Sequence, residues 1–124
     1  VCTGAIDKLI SSELGNYNIV LSHSAKRIHT VVGTGCLLGS MIGAFLGVID
    51  TQEKYNLEYA AIGGLGLLAL CEAVAGSDIT LGYGSYKERI LNLLSSITPN
   101  QLEDYLEANL QVDKIDSNSR NIGE

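Results

Sequence analysis

The sequence predicts an α/β domain in which short strands come first and a bundle of apolar helices follows. Two observations support this: a β-type segment lies within residues 17–22, and two long apolar segments follow at residues 36–48 and 57–75. The composition allows such a fold, because 124 residues with 46% hydrophobic and 18% charged side chains can bury one modest core. Helices this apolar must pack on a sheet, on each other or on another subunit. We therefore expect the C-terminal part of a layered α/β domain.

The strands are expected close to the N-terminus. Residues 1–7 are predicted to form a strand with a glycine turn at Thr3-Gly4, and residues 8–14 a polar excursion. Gly15-Asn16 signals a turn, and residues 17–22 are predicted to be a second short strand. Because the chain begins so abruptly in a strand, we expect part of the fold to lie upstream.

Two apolar helices are predicted next. The first spans residues 36–48 and the second spans residues 57–75, with a polar connection over residues 50–56. Gly76 is expected to end the second helix, since glycine is the common residue after a helix C-terminus.

Two shorter helices are predicted after a loop at residues 82–85. Ser85 is expected to cap a helix over residues 86–96, which has an apolar side. Thr98-Pro99-Asn100-Gln101 then has the pattern of an N-cap, a proline at the first helical position and a capping-box glutamine. This pattern predicts the start of a fourth helix.

Charge and cysteine content exclude several classes of function. A net charge of −6 with only 8 Lys and Arg side chains leaves no concentrated basic surface, so nucleic acid is not an expected partner. Cys2, Cys36 and Cys71 are odd in number, widely spaced and not grouped with His23 or His29 in a metal-ligand pattern. We therefore expect reduced thiols in a cytoplasmic protein, with no metal site in this chain.

One segment leaves a different class of protein open. Residues 31–49 contain no charge, and Gly35, Gly39, Gly43 and Gly47 recur there at every fourth position, a small-residue ridge that lets helices approach closely. A non-catalytic helix-packing module or a membrane hairpin is the alternative that this ridge suggests. We expect no membrane association, because Glu58 and Glu72 interrupt the second apolar helix.

The junction before the first helix is the strongest candidate for a functional site. Gly33-Thr34-Gly35 forms a glycine turn that leads directly into the helix, whose first turn has unpaired N–H groups and a positive dipole end. An anion is the natural ligand of such a terminus. A second glycine turn, Thr3-Gly4, follows the expected neighbouring strand, so the two turns together could hold a triphosphate.

Cys36 places a thiol at the mouth of this helix. A helix N-terminus favours the thiolate form, so Cys36 is a candidate base or nucleophile. The alternative is that Cys36 is a small buried apolar residue. Cys71 lies among leucines in the middle of the second helix and is expected in the core.

Three segments, taken in order, resemble the C-terminal half of the hydroxyethylthiazole kinase family: Thr3 to Asp7, Val32 to Gly39, and Gly82 to Tyr86. That family belongs to the ribokinase-like superfamily and phosphorylates the alcohol of 4-methyl-5-(2-hydroxyethyl)thiazole with ATP and Mg²⁺ in thiamine biosynthesis. The resemblance extends to about Val112. It implies a ribokinase-like layered domain over residues 1–112. Residues 113–124 are polar in composition, with Asn, Ser and Asp dominating, so a frayed polar tail is expected there.

The resemblance also implies roles for individual residues. Thr3, Gly4, Thr34 and Gly35 would contact ATP, Gly33 would lie near the thiazole substrate, and Cys36 would occupy the position of the base toward the substrate hydroxyl. The cysteine is the most specific mark, since most ribokinase-like enzymes have aspartate there. Another ribokinase-like kinase of a small alcohol or vitamin remains an alternative.

The family resemblance implies partners outside this chain as well. The magnesium-associated acids, much of the thiazole pocket and an ATP-binding arginine belong to the family's N-terminal half, so we expect this chain alone to be inactive. Family members form homo-oligomers with active sites between subunits, which implies a trimer or hexamer. Some members are fused to a thiamine-phosphate synthase domain, so the resemblance is also compatible with a bifunctional enzyme as the full-length protein.

Overall fold

The computed structural model describes residue 1 and residues 6–22, 34–78 and 80–114. These residues form a mixed α/β fold of four α-helices and a three-stranded antiparallel sheet. The strands are β1 (Ile6–Leu9), β2 (Tyr17–Ser22) and β3 (Leu110–Lys114), with a 3-10 turn at Ser12–Leu14. The helices are α1 (Thr34–Leu46), α2 (Asn56–Gly76), α3 (Tyr83–Leu94) and α4 (Pro99–Asn109).

The sheet has β2 in the centre, paired with β1 on one side and β3 on the other. Asp7 lies opposite Leu21, which in turn lies opposite Leu110. Along β1, Asp7 and Leu9 are buried while Ile6 and Lys8 are exposed, as expected for a strand with one face on the core. Leu9 packs with residues of α2, so this face of the sheet covers the helices.

Helix α2 is the centre of the fold. It packs on α1, α3, α4 and β1, and 13 of its 21 residues are buried, so it has no single apolar face. The main core contains residues from β2 and from three helices: Leu21, Leu38, Met41, Leu65, Leu68, Ala69, Cys71, Ala75, Tyr86 and Ile90. Within the described residues, α2 is the one helix long and apolar enough to span a membrane, and 67% of its most apolar window is buried inside the protein.

Glycines on α2 allow α1 to approach closely. A Cβ atom on Gly64 would lie 2.5 Å from Ile42 Cγ1 and 3.2 Å from the Ile42 backbone nitrogen. One on Gly63 would lie 3.2 Å from the ring of Phe45. The side chains of α1 therefore fill the space that a larger residue would need, and this contact fixes the position of α1.

The expected glycine ridge makes no close packing contact at the three positions whose surroundings the structure describes. Gly39 and Gly43 have no atom of another described element within 4 Å of an added Cβ, and Gly47 has only carbonyl oxygens of its own helix nearby. Periodicity identified a ridge of small residues, but the close helix contact in the described part of the chain comes from the glycines of α2.

The strands differ from expectation in two places. The predicted strand at residues 17–22 is confirmed as β2, whereas β1 continues to Leu9 instead of ending at Asp7, because Leu9 is buried against α2. The sequence prediction contained no β3, and it placed Asp113 in a frayed tail. Asp113 lies in β3 because β2 offers a free edge for pairing.

The four predicted helices are all present, with corrections at α3. The N-cap at Thr98 and the capping box with Gln101 are both confirmed. Residues 82–85 are not a loop, and Ser85 is not a cap. Instead α3 begins at Tyr83, with Gly82 as N-cap, and the Gly82 carbonyl accepts the first helical hydrogen bond from the Tyr86 amide at 2.9 Å.

Candidate functional site

The start of α1 places Thr34, Gly35 and Cys36 together in the first helical turn. The sequence prediction began this helix at Cys36, and the structure begins it two residues earlier. The N–H groups of this first turn have no acceptor within their own helix, and the positive end of the helix dipole lies here. The two residues that the sequence assigned to ATP on this segment, Thr34 and Gly35, thus contribute backbone amides at a helix N-terminus.

Cys36 is a free thiol with an exposed side chain. The alternative that it is a small buried apolar residue does not hold. Its carbonyl oxygen accepts a hydrogen bond from Ser40 Oγ at 3.1 Å, one turn further along the exposed side of α1. The exposed thiol therefore lies in the first turn of α1.

The opposite side of α1 is anchored in the core. Leu38 and Met41 are each 8% exposed, and Ile42 lies against Gly64 of α2. Because these contacts bury one face within two turns of the helix start, they hold the first-turn amides at a fixed position relative to α2. Pre-positioned donors of this kind are what anion binding requires.

The remaining predicted site residues lie outside the part of the chain that the structure describes. These are Thr3 and Gly4, assigned to ATP, and Gly33, assigned to the thiazole substrate. Their roles remain predictions. His23, His29 and Cys2 also lie outside the described ranges.

Cys71 is confirmed as a core residue. It is fully buried, and burial together with the nearby charge of Glu72 raises the pKa of its thiol to about 11. A thiol of this kind is neutral at physiological pH and inaccessible to reagents. Of the two described cysteines, Cys36 is the one with an exposed thiol.

The sequence interpretation missed a second set of polar groups, which lies in the interior. Asp7 on β1 and Glu72 on α2 are 7% and 4% exposed, and burial followed by the charge of Asp7 raises the pKa of Glu72 to about 7. Glu58, in the first turn of α2, is also buried and accepts a hydrogen bond from Ser11 Oγ at 2.5 Å. The sequence signal for this set is a glutamate inside the apolar segment of α2. Sequence analysis interprets that glutamate only as an interruption of the apolar helix.

Metal-ligating side chains are not clustered within residues 6–22, 34–78 and 80–114. No three His, Cys, Asp or Glu side chains there are arranged to hold a metal ion. A shallow cavity of about 520 Å³ lies along α4, and a polar one of about 230 Å³ lies at the loop before α2. Residues 34–36 line neither of these two cavities.

Comparison with known proteins identifies a relative. The chain is similar to a hydroxyethylthiazole kinase from Actinobacillus succinogenes, with 32% identity over 95 residues, which cover 77% of this chain and 34% of that protein. It spans about a third of that relative's length. Thirty-three curated proteins match the chain significantly, so the similarity extends beyond one sequence. No family model matches.

Proposed function

We propose that this chain is the nucleotide-phosphate side of a hydroxyethylthiazole kinase. The observation that supports the proposal is the α1 terminus, where the amides of Thr34, Gly35 and Cys36 begin a helix beside an exposed thiol. A helix N-terminus binds phosphate groups through its free amides and its dipole. The similarity to a named hydroxyethylthiazole kinase then favours phosphoryl transfer to an alcohol over other uses of an anion site.

In the proposed reaction, the hydroxyl oxygen of hydroxyethylthiazole attacks the γ-phosphorus of ATP, and the bond to the leaving ADP oxygen breaks. The first-turn amides of α1 donate hydrogen bonds to the phosphoryl oxygens as negative charge is redistributed. Cys36 Sγ is the proposed acceptor of the hydroxyl proton. Most of the rate enhancement in such a transfer comes from positioning and charge stabilisation, so the amides contribute more than the thiol.

Mg²⁺ is part of this proposal because phosphoryl transfer from ATP requires charge neutralisation between the β- and γ-phosphates. Within the described residues, no three metal-ligating side chains are grouped. We propose that its ligands, and much of the thiazole pocket, belong to an N-terminal half of the same kinase.

The proposal also covers the domain that contains the site, its oligomeric state and its location in the cell. The sheet and helices would form the C-terminal part of a ribokinase-like layered domain that continues through β3 to Lys114, followed by a polar tail. The kinase would be a cytoplasmic homo-oligomer, a trimer or hexamer, without membrane or nucleic-acid partners. A fused thiamine-phosphate synthase domain is compatible with it.

The experiment compares two glycine variants in the complete polypeptide. Gly35→Val places a side chain at the phosphate position and should abolish binding of an ATP analogue. Gly39→Val adds the same side chain one turn later, where the described structure has no atom of another element within 4 Å, so binding should persist. Unchanged binding and turnover in Gly35→Val would contradict the proposal.

The substrate is tested with three alcohols in the same preparation. Phosphorylation of hydroxyethylthiazole in preference to hydroxymethylpyrimidine or pyridoxal is expected, and the reverse preference would favour another ribokinase-like kinase. A Cys36→Asp variant should keep activity if this position faces the reacting hydroxyl. Partition of the protein into a detergent phase would instead favour the glycine-ridge module.

A further inference from the structure

A shallow apolar groove of about 520 Å³ runs along α4 and onto the start of β3, and we call it the α4 groove. Leu102, Leu106 and Leu110 form its floor at every fourth position. The floor rests on α2, because a Cβ atom on Gly66 would lie 2.5 Å from Leu106 Cδ2 and 3.3 Å from Leu102 Cδ1. All three leucines are only half-buried, so part of this apolar surface remains open.

The rim of the α4 groove is acidic. Glu103 and Glu107 both line the groove, and both side chains are exposed. Residues 90–113 contain no Lys, Arg or His, so this stretch of the chain brings no positive charge of its own to the rim. A helix with apolar side chains and a cation on the same side has the complementary chemistry.

Helix α3 presents such a surface to solvent. Tyr83, Lys87 and Leu91 follow one another at every fourth position and therefore lie on one side of the helix. Tyr83 is 62% exposed and Leu91 is 46% exposed, and Lys87 between them is exposed as well. The buried Tyr86 and Ile90 hold α3 on the core. We call the three exposed residues the α3 stripe.

We propose that the α3 stripe of one copy of this chain docks in the α4 groove of a second copy. The two apolar side chains of the stripe lie against the leucines of the groove, and the Lys87 ammonium lies beside the carboxylates of Glu103 and Glu107. This arrangement gives the contact an apolar centre and a charged edge. The exposure of the α3 stripe means that it does not fill the α4 groove of its own chain.

Charge supports a second copy in this one orientation. Each chain has a net charge of −6, so two copies repel each other in most orientations. The contact between the stripe and the groove instead pairs the Lys87 cation with two carboxylates. Because the stripe and the groove are different surfaces, the contact either repeats around a ring or closes as a two-fold pair in which each copy provides both.

The first test measures the association of the complete polypeptide by sedimentation equilibrium. Lys87→Glu replaces attraction to the rim by repulsion, and it should raise the dissociation constant on the order of tenfold or more. Arg89→Glu is the matched control, since it makes the same change in charge at an exposed position on another side of α3. The control should associate more tightly than Lys87→Glu. Equal effects of the two variants, or an unmodified protein that stays monomeric, would overturn the proposal.

The second test exchanges the charges between the two surfaces. Glu103→Lys combined with Glu107→Lys should also weaken association, and adding Lys87→Glu to this protein should restore it. A loss of folding in any variant would not be repaired in this way, so restoration supports direct contact between Lys87 and the rim. Failure of the triple variant to associate would overturn the proposal. Weakening by the two rim substitutions but not by Lys87→Glu would also overturn it and would assign the groove to another partner.

Neither surface includes residues 34–36, so the proposed contact is tested separately from the proposed nucleotide site. The same preparations are titrated with the ATP analogue. A protein that associates as expected but does not bind the analogue contradicts the proposed function alone. A protein that binds the analogue but whose association is unaffected by Lys87→Glu contradicts this contact alone.

Discussion

The contact between α1 and α2 gives the sharpest prediction about the fold, and Gly64→Ala tests it. The added Cβ would lie 2.5 Å from Ile42 Cγ1, 3.2 Å from the Ile42 nitrogen and 3.3 Å from its Cα. Rotation of the Ile42 side chain relieves only the first of these contacts, since the other two are to the backbone of α1. The helices must therefore separate by several tenths of an ångström.

The size of the effect follows from two opposing terms. Overpacking a close contact costs about 1–3 kcal/mol, and involvement of the backbone places this site toward the upper end. Alanine gains about 1 kcal/mol over glycine in a helix interior. The free energy of unfolding should thus fall by about 2 kcal/mol.

Gly43→Ala is the matched control. It makes the same chemical change in the middle of α1, where the described structure has no atom of another element within 4 Å of the new Cβ. Only the gain in helix propensity applies, so the protein should become more stable by about 0.5–1 kcal/mol. Both variants are compared by urea denaturation followed by circular dichroism. Equal stability of the two variants, or a more stable Gly64→Ala, would refute the close approach of α1 to α2.

Two further predictions concern single side chains. At pH 8, Cys36→Ala should lower by one the number of thiols that react rapidly with Ellman's reagent. Cys71→Ala should leave this number unchanged, because Cys71 reacts only after unfolding. Loss of a rapidly reacting thiol in Cys71→Ala but not in Cys36→Ala would contradict the burial of these residues. Thr98→Ala removes the hydroxyl that accepts a hydrogen bond from the Gln101 amide at 3.2 Å, and it should lower the free energy of unfolding by about 1 kcal/mol. Thr98→Ser retains a hydroxyl and should retain most of this stability. Equal losses of stability in both variants would argue against the cap.

Local signals in the sequence predicted most of the helices. The capping box at Thr98 and Gln101 is complete within four residues, so its physics is visible without tertiary structure. The start of α3 was misplaced because the Gly82 carbonyl, a backbone group with no sequence signature, begins the helix. Side-chain caps are predictable from the sequence, whereas backbone caps are not.

Features that depend on distant partners were not predictable. Strand β3 exists because β2, almost 90 residues earlier, offers an edge, and its own sequence is short and polar. The glycines of α1 and α2 look equivalent in the sequence, and only the packing of Ile42 on Gly64 distinguishes them. Asp7 and Glu72 likewise meet through the fold and not through any local pattern.

The part of the candidate site that depends on neighbouring residues in the sequence was predicted. Glycine followed by an apolar helix and a cysteine was enough to predict a helix N-terminus with a thiol, and the structure places Gly35 and Cys36 there. The relation of this terminus to Thr3 and Gly4 depends on long-range geometry and stays a prediction.

The proposed function requires that the first-turn amides of α1 bind the phosphate groups of a nucleotide. The most direct measurement is a ¹⁵N–¹H spectrum of the complete polypeptide titrated with a non-hydrolysable ATP analogue and Mg²⁺. We expect the amides of Thr34, Gly35 and Cys36 to show the largest saturable shifts. Saturable shifts elsewhere, with these three amides unchanged, would contradict it.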